Sequence, residues 1–212
     1  DIIEKAHQIG KPVIVATQIL DSMTERPVPT RAEVSDIANS ILDGADALMV
    51  TGETAIGKHP KKVIKVLRRV IKETESAINY HNDYEISTNK TINTARAISH
   101  AACSVASQQN INILVTMTHS GSTARMAARY RPAARIVAMT PFKKICRQLA
   151  IVWGISPVLV DEYESADEIP TVANLVLKEK ELLEVGEKFV ITGGVPVGVP
   201  GTTNYLSVLK LS

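Results

Sequence analysis

The sequence predicts an α/β protein in two parts: the remnant of a (β/α)8 barrel, then a three-layer α/β domain on a mostly parallel five-stranded sheet. Three observations carry this. Short apolar runs of strand length alternate with segments of helical period along the chain. The first two strands each end in a polar cluster, "TQILDSM" (17–23) and "TGETAIGK" (51–58), as strands do at the mouth of a barrel. A polar stretch without periodicity, "YHNDYEISTNK" (80–90), then separates two such units from a longer alternating series. A complete barrel needs eight units and about 250 residues, so 212 residues hold the last two at most. The expected organisation is a barrel remnant over 1–79, a linker over 80–90 and a second domain over 91–212.

Each element has a local reason. The chain opens at Asp1 in a pattern already helical (Ile2, Ile3, Ala6, Ile9), which predicts a piece of a longer protein. Residues 13–16 read as a buried strand and 18–28 as a loop. Thr30 and Glu33 have capping-box spacing, and Val34, Ile37, Ala38, Ile41 and Leu42 follow on one helical face until Gly44. Residues 47–50 form the next strand. Pro60 opens a helix whose apolar face is Val63, Val66, Leu67, Val70 and Ile71. Its basic residues, Lys61, Lys62, Lys65, Arg68, Arg69 and Lys72, read as a solvated face rather than a nucleic-acid patch. Beyond the linker come helix 91–109, strand 111–115, helix 123–130, strand 136–139, a helix from Thr140-Pro141 to about Ala150, and strand 158–160. Ser165 and Glu168 form a second capping box before helix 166–183. Strands 189–191 and 205–211 close the chain, paired antiparallel because their connection is too short for a helical crossover.

Composition narrows the function. The chain is 45% hydrophobic and 22% charged with a net charge of +2, which argues for neither nucleic acid nor a membrane surface. Aromatic residues make up 4%, too few for base stacking. No apolar run reaches membrane-spanning length. Cys103 and Cys146 lie among apolar residues without metal spacing and read as reduced core thiols of a cytoplasmic protein. The five histidines show no metal spacing, and the acidic pairs Asp43 with Asp46 and Asp161 with Glu162 read as surface. "GETAIGKH" (52–59) imitates a phosphate-binding P-loop. It lacks the final hydroxyl that would ligate magnesium, and Pro60 removes an amide from the helix start.

The stretch "TMTHSGSTAR" (116–125) is a better anion site. It crowds hydroxyls around Gly121 between a strand and a helix start, where amides and the helix dipole favour negative charge. The alternative is a hydroxyl-capped turn without a ligand, and the residues alone leave both open. Arg125 and Arg129 could neutralise an anion, although arginines on a short helix generally face solvent. Trp153, before Gly154, reads as packing.

The stretches "KPVIVATQILDSM", "PVPTRAEVSDIANSILDGADALMVTGETAIGKHP", "THSGSTARMAARYRP" and "GTTN" closely resemble the pyruvate kinase family, in order and over essentially the whole chain. The resemblance implies the end of the catalytic barrel (part of the sixth helix, then the seventh and eighth units) and the family's C-terminal regulatory domain. It implies phosphoryl transfer from phosphoenolpyruvate to ADP, giving pyruvate and ATP in glycolysis. Magnesium and potassium serve the complete enzyme, typically a homotetramer. It puts Thr17 beside the substrate and Thr51, Gly52, Glu53 and Thr54 near the nucleotide. Thr51 replaces the usual serine, and Ile56 stands where animal enzymes carry lysine. It assigns Thr118, His119, Ser120, Gly121, Ser122 and Thr123 to an effector phosphate, so that loop is regulatory rather than catalytic. The tryptophan and arginine that grip a second phosphate in animal and yeast enzymes have no counterpart. The last loop, "GGVPVGVPGTTN", also differs from theirs, so the implied effector is a monophosphate, a sugar phosphate or a nucleotide, with no effector as the alternative. The family's metal carboxylates, catalytic lysine and substrate-phosphate arginine belong to earlier barrel strands, so this chain alone is expected to bind no metal and to be inactive. Two classes of function stay open: part of a pyruvate kinase, or a free-standing regulatory module that binds a phosphorylated metabolite.

Overall fold

The computed structural model describes residues 2–16, 18–78, 93–199 and 201–212. The chain forms two compact units, 1–79 and 80–212.

The first unit runs α1 (Ile2–Gln8), β1 (Ile14–Ala16), α2 (Arg31–Leu42), β2 (Ala47–Met49), the single turn α3 (Gly52–Ala55) and α4 (Pro60–Ala77). β1 and β2 pair in parallel, with Val15 opposite Leu48. Side chains alternate along a strand, so one face sends Val15 and Leu48 towards Ile37, Ile41, Val63 and Leu67 of α2 and α4. The other face carries Ile14 and Met49, each 47% exposed. The expected buried strand is thus covered on one side only. The supposed loop 18–28 is also more than a loop: it holds a 3-10 turn (Asp21–Thr24), and Leu20 just before it and Met23 within it are fully buried in this core. Leu42, placed on the apolar face by periodicity, ends 60% exposed at the last residue of α2.

The Thr30–Glu33 capping box is present, and Glu33 also accepts hydrogen bonds from the Ser22 amide (2.7 Å) and hydroxyl (2.5 Å). Asp46 departs from the expected surface role. Its side chain is 6% exposed and accepts the Val13 amide at 2.8 Å, with His7 Nε2 at 3.2 Å. A buried carboxylate needs such partners, and here they fasten the entry to β1 onto the entry to β2. The basic residues of α4 are all exposed.

The second unit runs α5 (Thr94–Gln108), β3 (Ile113–Met117), α6 (Ser122–Ala128), β4 (Arg135–Thr140), α7 (Lys143–Leu149), β5 (Ile155–Leu159), α8 (Ile169–Glu179), β6 (Lys188–Gly194) and β7 (Thr203–Lys210). The sheet order is β5-β4-β3-β6-β7, parallel except for β7, which pairs antiparallel with β6. Leu114, Ile136, Ala138 and Val190 face the alanine-rich sides of α5 and α6. Val115, Val137, Met139 and Ile191 face α8 through Ile169, Ala173 and Leu177. This is the three-layer domain the alternation predicts, with a central sheet buried on both faces.

Several boundaries move. β3 begins two residues later than expected and runs on through Thr116 and Met117, all five residues buried. β5 begins three residues earlier and contains Pro157, opposite Ala138. Proline is tolerated there because β5 is an edge strand. The second capping box forms, but it heads a 3-10 turn (Ala166–Glu168) before α8. Cys103 is buried, and burial pushes its thiol up to about 12. Cys146, in α7, is only half-buried. Among the described residues no helix is long and apolar enough to cross a membrane.

Candidate functional site

The sheet order fixes where a ligand can enter. From β3 the chain moves outward to β4 and β5, then returns to the opposite side of β3 as β6. At such a switch between neighbouring parallel strands, a crevice opens beyond their carboxyl ends. Here the crevice is a cleft of about 340 Å3, its open mouth included. One wall is Thr118, His119, Ser120, Ser122 and Thr123 after β3; the other is Gly194, Gly198, Val199, Gly201, Thr202 and Thr203 between β6 and β7. Tyr163 and Met117 complete the lining. The loop residues singled out in the sequence thus come together around one small polar cleft.

The first wall is built by its own side chains. The Gly121 amide donates to Thr118 Oγ1 at 2.9 Å, closing a tight turn. Gly121 takes φ +79, and a Cβ there would lie 2.8 Å from Arg125 Nη1 and 3.1 Å from Leu149 Cδ2. Arg125 reaches back and donates from Nη2 to the Ser120 carbonyl at 2.7 Å. That turn lets Ser122 open α6 with its first amides unused by the helix. Arg125 and Arg129 therefore depart from the solvent-facing expectation. Both are half-buried, and burial lowers both from the usual arginine value.

The two walls meet at a hydrogen bond between the Thr123 and Thr203 hydroxyls, 2.8 Å long and buried. The His119 ring sits 5.6 Å from Phe142 and 5.5 Å from Tyr163, which fixes its place at the rim. Burial raises Tyr163 to about 12, so its hydroxyl stays protonated. Thr116, which opens the hydroxyl-rich stretch, is fully buried in β3 on the side of α5 and α6 and takes no part in the lining. The second wall is not among the predicted site residues. From the residues alone "GGVPVGVPGTTN" shows as a glycine- and proline-rich connection, and only the family resemblance ties it to the effector. The cleft offers hydroxyl donors and backbone amides with no carboxylate in its lining, a setting suited to an oxyanion.

The remaining predicted site residues belong to the first unit. Thr17 lies outside the described residues. Thr51 is exposed after β2, Gly52 is half-buried at the start of α3, and Glu53 is 3% exposed. Glu53 Oε1 accepts the Leu20 amide at 3.1 Å and Oε2 accepts the Thr51 amide at 2.8 Å. Burial acts to raise the Glu53 carboxyl, but hydrogen bonds from the Glu53, Thr51 and Leu20 amides outweigh it and hold the group below its ordinary value. Glu53 thus ties the turn after β2 to the turn after β1. In the segment resembling a P-loop, Gly57 packs so closely that a Cβ would meet the Glu53 carbonyl at 2.4 Å. Among the described residues no group of three or more His, Cys, Asp or Glu side chains is placed to share a metal ion.

Comparison with known proteins agrees with both units. The pyruvate kinase alpha/beta domain family matches residues 96–209, and the pyruvate kinase barrel domain family matches residues 1–64. A pyruvate kinase of Clostridium acetobutylicum is 42% identical over 208 residues, covering 98% of this chain and 44% of the relative. That of Thermotoga maritima is 44% identical over 211 residues, covering 100% of this chain and 44% of the relative. The chain thus spans less than half the length of the curated relatives it matches. A crystal structure of pyruvate kinase from Cryptosporidium parvum superposes with a TM-score of 0.87 at 32% identity, over 100% of this chain and 42% of that one. Another, in complex with ADP, gives a TM-score of 0.81 at 33% identity, over 100% of this chain and 43% of that one. Residues 96–209 alone carry a family match over more than half of the sequence, on a fold whose strand order and cleft were established independently: the chain belongs to the pyruvate kinase family.

Proposed function

We propose that these residues act within a pyruvate kinase that transfers a phosphoryl group from phosphoenolpyruvate to ADP, and that the second unit reads a phosphorylated metabolite which controls it. The observation that carries the regulatory part is the cleft between residues 118–123 and 194–203, lined by hydroxyls and glycines at the switch point of the sheet. Thr118, His119, Ser120, Gly121, Ser122 and Thr123 hold the effector phosphate, and the narrow cleft favours one phosphate, that of a sugar monophosphate or a nucleotide. In the first unit Thr17 stands beside the substrate and Thr51, Gly52 and Glu53 near the nucleotide. Glu53 orders the turn rather than ligating, since both its oxygens already accept amides.

Magnesium and potassium supply charge to the transferring phosphoryl group in the complete enzyme. Among the described residues no group of three or more His, Cys, Asp or Glu side chains is placed to hold a metal ion. The domains of the proposal are a barrel end over 1–79, a linker over 80–90 and the regulatory domain over 91–212. The proposed assembly is a homo-oligomer, a tetramer in the complete enzyme, working in the cytoplasm.

Calorimetry of the full 212-residue chain against sugar monophosphates and nucleoside monophosphates tests the reading. Binding should occur in the millimolar range or tighter and weaken by about 1.5–3 kcal/mol per lost hydrogen bond to charged phosphate in Ser120→Ala and Thr123→Ala. An absence of binding throughout the panel, or equal binding by both variants, refutes it. The same chain mixed with phosphoenolpyruvate, ADP, magnesium and potassium should show no turnover, because phosphoryl transfer rests on metal and Lys/Arg charge that this chain does not assemble.

A further inference from the structure

The cleft has a contributor that belongs to neither hydroxyl wall. Tyr163 comes from the connection between β5 and α8 and lines the cleft beside Met117. It packs with Met117, Val158 and Ile169 in the core on the α8 face of the sheet. α6 packs on the opposite face through Ala124 and Ala127. The cleft thus straddles the carboxyl end of β3, and Tyr163 reaches it from the α8 side.

Two observations set this tyrosine apart from an ordinary core residue. Its ring is held in place, 4% exposed and 5.5 Å from the His119 ring. Among the described residues nothing hydrogen-bonds to its hydroxyl, although a buried phenol usually finds a partner. Nor is that oxygen sealed off without a partner, as the Ser99 and Thr116 hydroxyls are. It therefore meets solvent, and the open space that Tyr163 lines is the cleft. Most other hydroxyls there are already engaged. Thr118 Oγ1 accepts the Gly121 amide at 2.9 Å, Thr202 Oγ1 donates to the Val199 carbonyl at 2.7 Å, and Thr123 and Thr203 bond each other at 2.8 Å. Burial pushes the Tyr163 phenol up to about 12, so at neutral pH it carries its proton and no charge, and can donate to an oxyanion without repelling it. On the reading of the cleft as a phosphate site, we infer that Tyr163 is a further binding residue of that site, its hydroxyl donating a hydrogen bond to the phosphate monoester held by residues 118–123. The ligand then joins the connection before α8 to the loop after β3.

The test uses the 212-residue chain labelled with 13C and 15N. It is titrated with inorganic phosphate, a sugar monophosphate and a nucleoside monophosphate, against sodium chloride of matched ionic strength. The Tyr163 Cζ signal should shift and saturate with an ester but not with chloride. Tyr163→Phe keeps the ring against His119 and removes only the oxygen. Its urea midpoint should stay close to that of the wild type, while calorimetry should show ester binding weakened roughly tenfold. A loss for phosphate and esters alike puts the hydroxyl on the phosphate; a loss for the esters alone puts it on their organic part; both sustain the assignment. The Cζ signal is assigned through bonds to its own backbone, so it decides the matter even if Tyr163→Phe fails to fold. The inference is overturned, with the reading of the cleft intact, if the amides of residues 118–123 respond to a ligand while the Tyr163 Cζ signal stays still, or if Tyr163→Phe binds as tightly as the wild type. If those amides ignore every ligand as well, the reading of the cleft falls and this inference falls with it.

Discussion

Replacing Gly121 by alanine tests whether the turn after β3 is built as described. Two separate costs arise. Gly121 has φ +79, in the left-handed region, and an L-residue there costs roughly 1–2 kcal/mol. The new Cβ would also lie 2.8 Å from Arg125 Nη1 and 3.1 Å from Leu149 Cδ2. The arginine end can swing away, but only by giving up its hydrogen bond to the Ser120 carbonyl. Such a bond to a charged group contributes about 1.5–3 kcal/mol, of which part returns as the freed guanidinium meets water. Leu149 is fully buried and can yield only slightly. Together these give about 2–4 kcal/mol, a large share of a domain stability of about 5–15 kcal/mol. Gly186 is the control. Its φ of +93 carries the same backbone cost, yet nothing lies within 4 Å of its added Cβ, so Gly186→Ala should cost about 1–2 kcal/mol. Urea unfolding followed by Trp153 fluorescence reads the second unit alone, because Trp153 is the only tryptophan of the sequence. Equal losses for the two variants would refute the steric part of the reasoning. A loss below about 0.5 kcal/mol for Gly121→Ala, within the range of an ordinary surface change, would refute the turn itself.

Other outcomes follow from other parts of the structure. Phe189→Ala removes a fully buried ring from the core between the sheet and α8 and should cost about 3–5 kcal/mol in the same urea assay. Glu53→Gln replaces an acceptor of two amides with a group that can satisfy only part of that demand. It should loosen the first unit by about 2 kcal/mol, read as faster amide exchange at Leu20 and Thr51. Because the Glu53 carboxyl is held below its ordinary 4.5, its contribution is fully present above that pH and is lost as pH falls through the lower folded value. Circular dichroism during acid titration should show helix loss below about pH 4.5 in the wild type, with a smaller dependence in Glu53→Gln. Finally, amides of β1 and β2 should exchange faster than those of β3 and β4, since the two-stranded pair has one bare face while the five-stranded sheet is covered on both.

The alternation of strand and helix, both capping boxes and the antiparallel final pair were legible because each rests on local chemistry: period, a hydroxyl three residues from a glutamate, a connection too short to cross over. What local chemistry does not encode was missed. Periodicity placed Leu42 on an apolar face, but burial depends on what lies opposite, and Leu42 stays 60% exposed beside the buried Ile41. Pro157 masked half of β5, because proline reads as a break unless the strand is known to be an edge. Asp46 and Glu53 looked like surface or ligand carboxylates, since no sequence pattern reveals that backbone amides from distant turns converge on them. The hydroxyl loop after β3 stood out through its own density of serine and threonine. Its opposite wall has no such density: the resemblance alone tied that loop to the effector, and the sheet order is what brings residues 194–203 alongside 118–123.

That juxtaposition has a mechanical consequence. The contact between Thr123 and Thr203 spans 80 positions of the chain, with β4, α7, β5, α8 and β6 lying between. A guest that touched both hydroxyl walls would act as a removable clasp on that long loop, one the chain must release before those intervening layers can come apart. Its grip would be set by supply, growing as RT ln(1 + [L]/Kd), so the rise and fall of one metabolite would be felt as tension across most of the domain rather than at its rim.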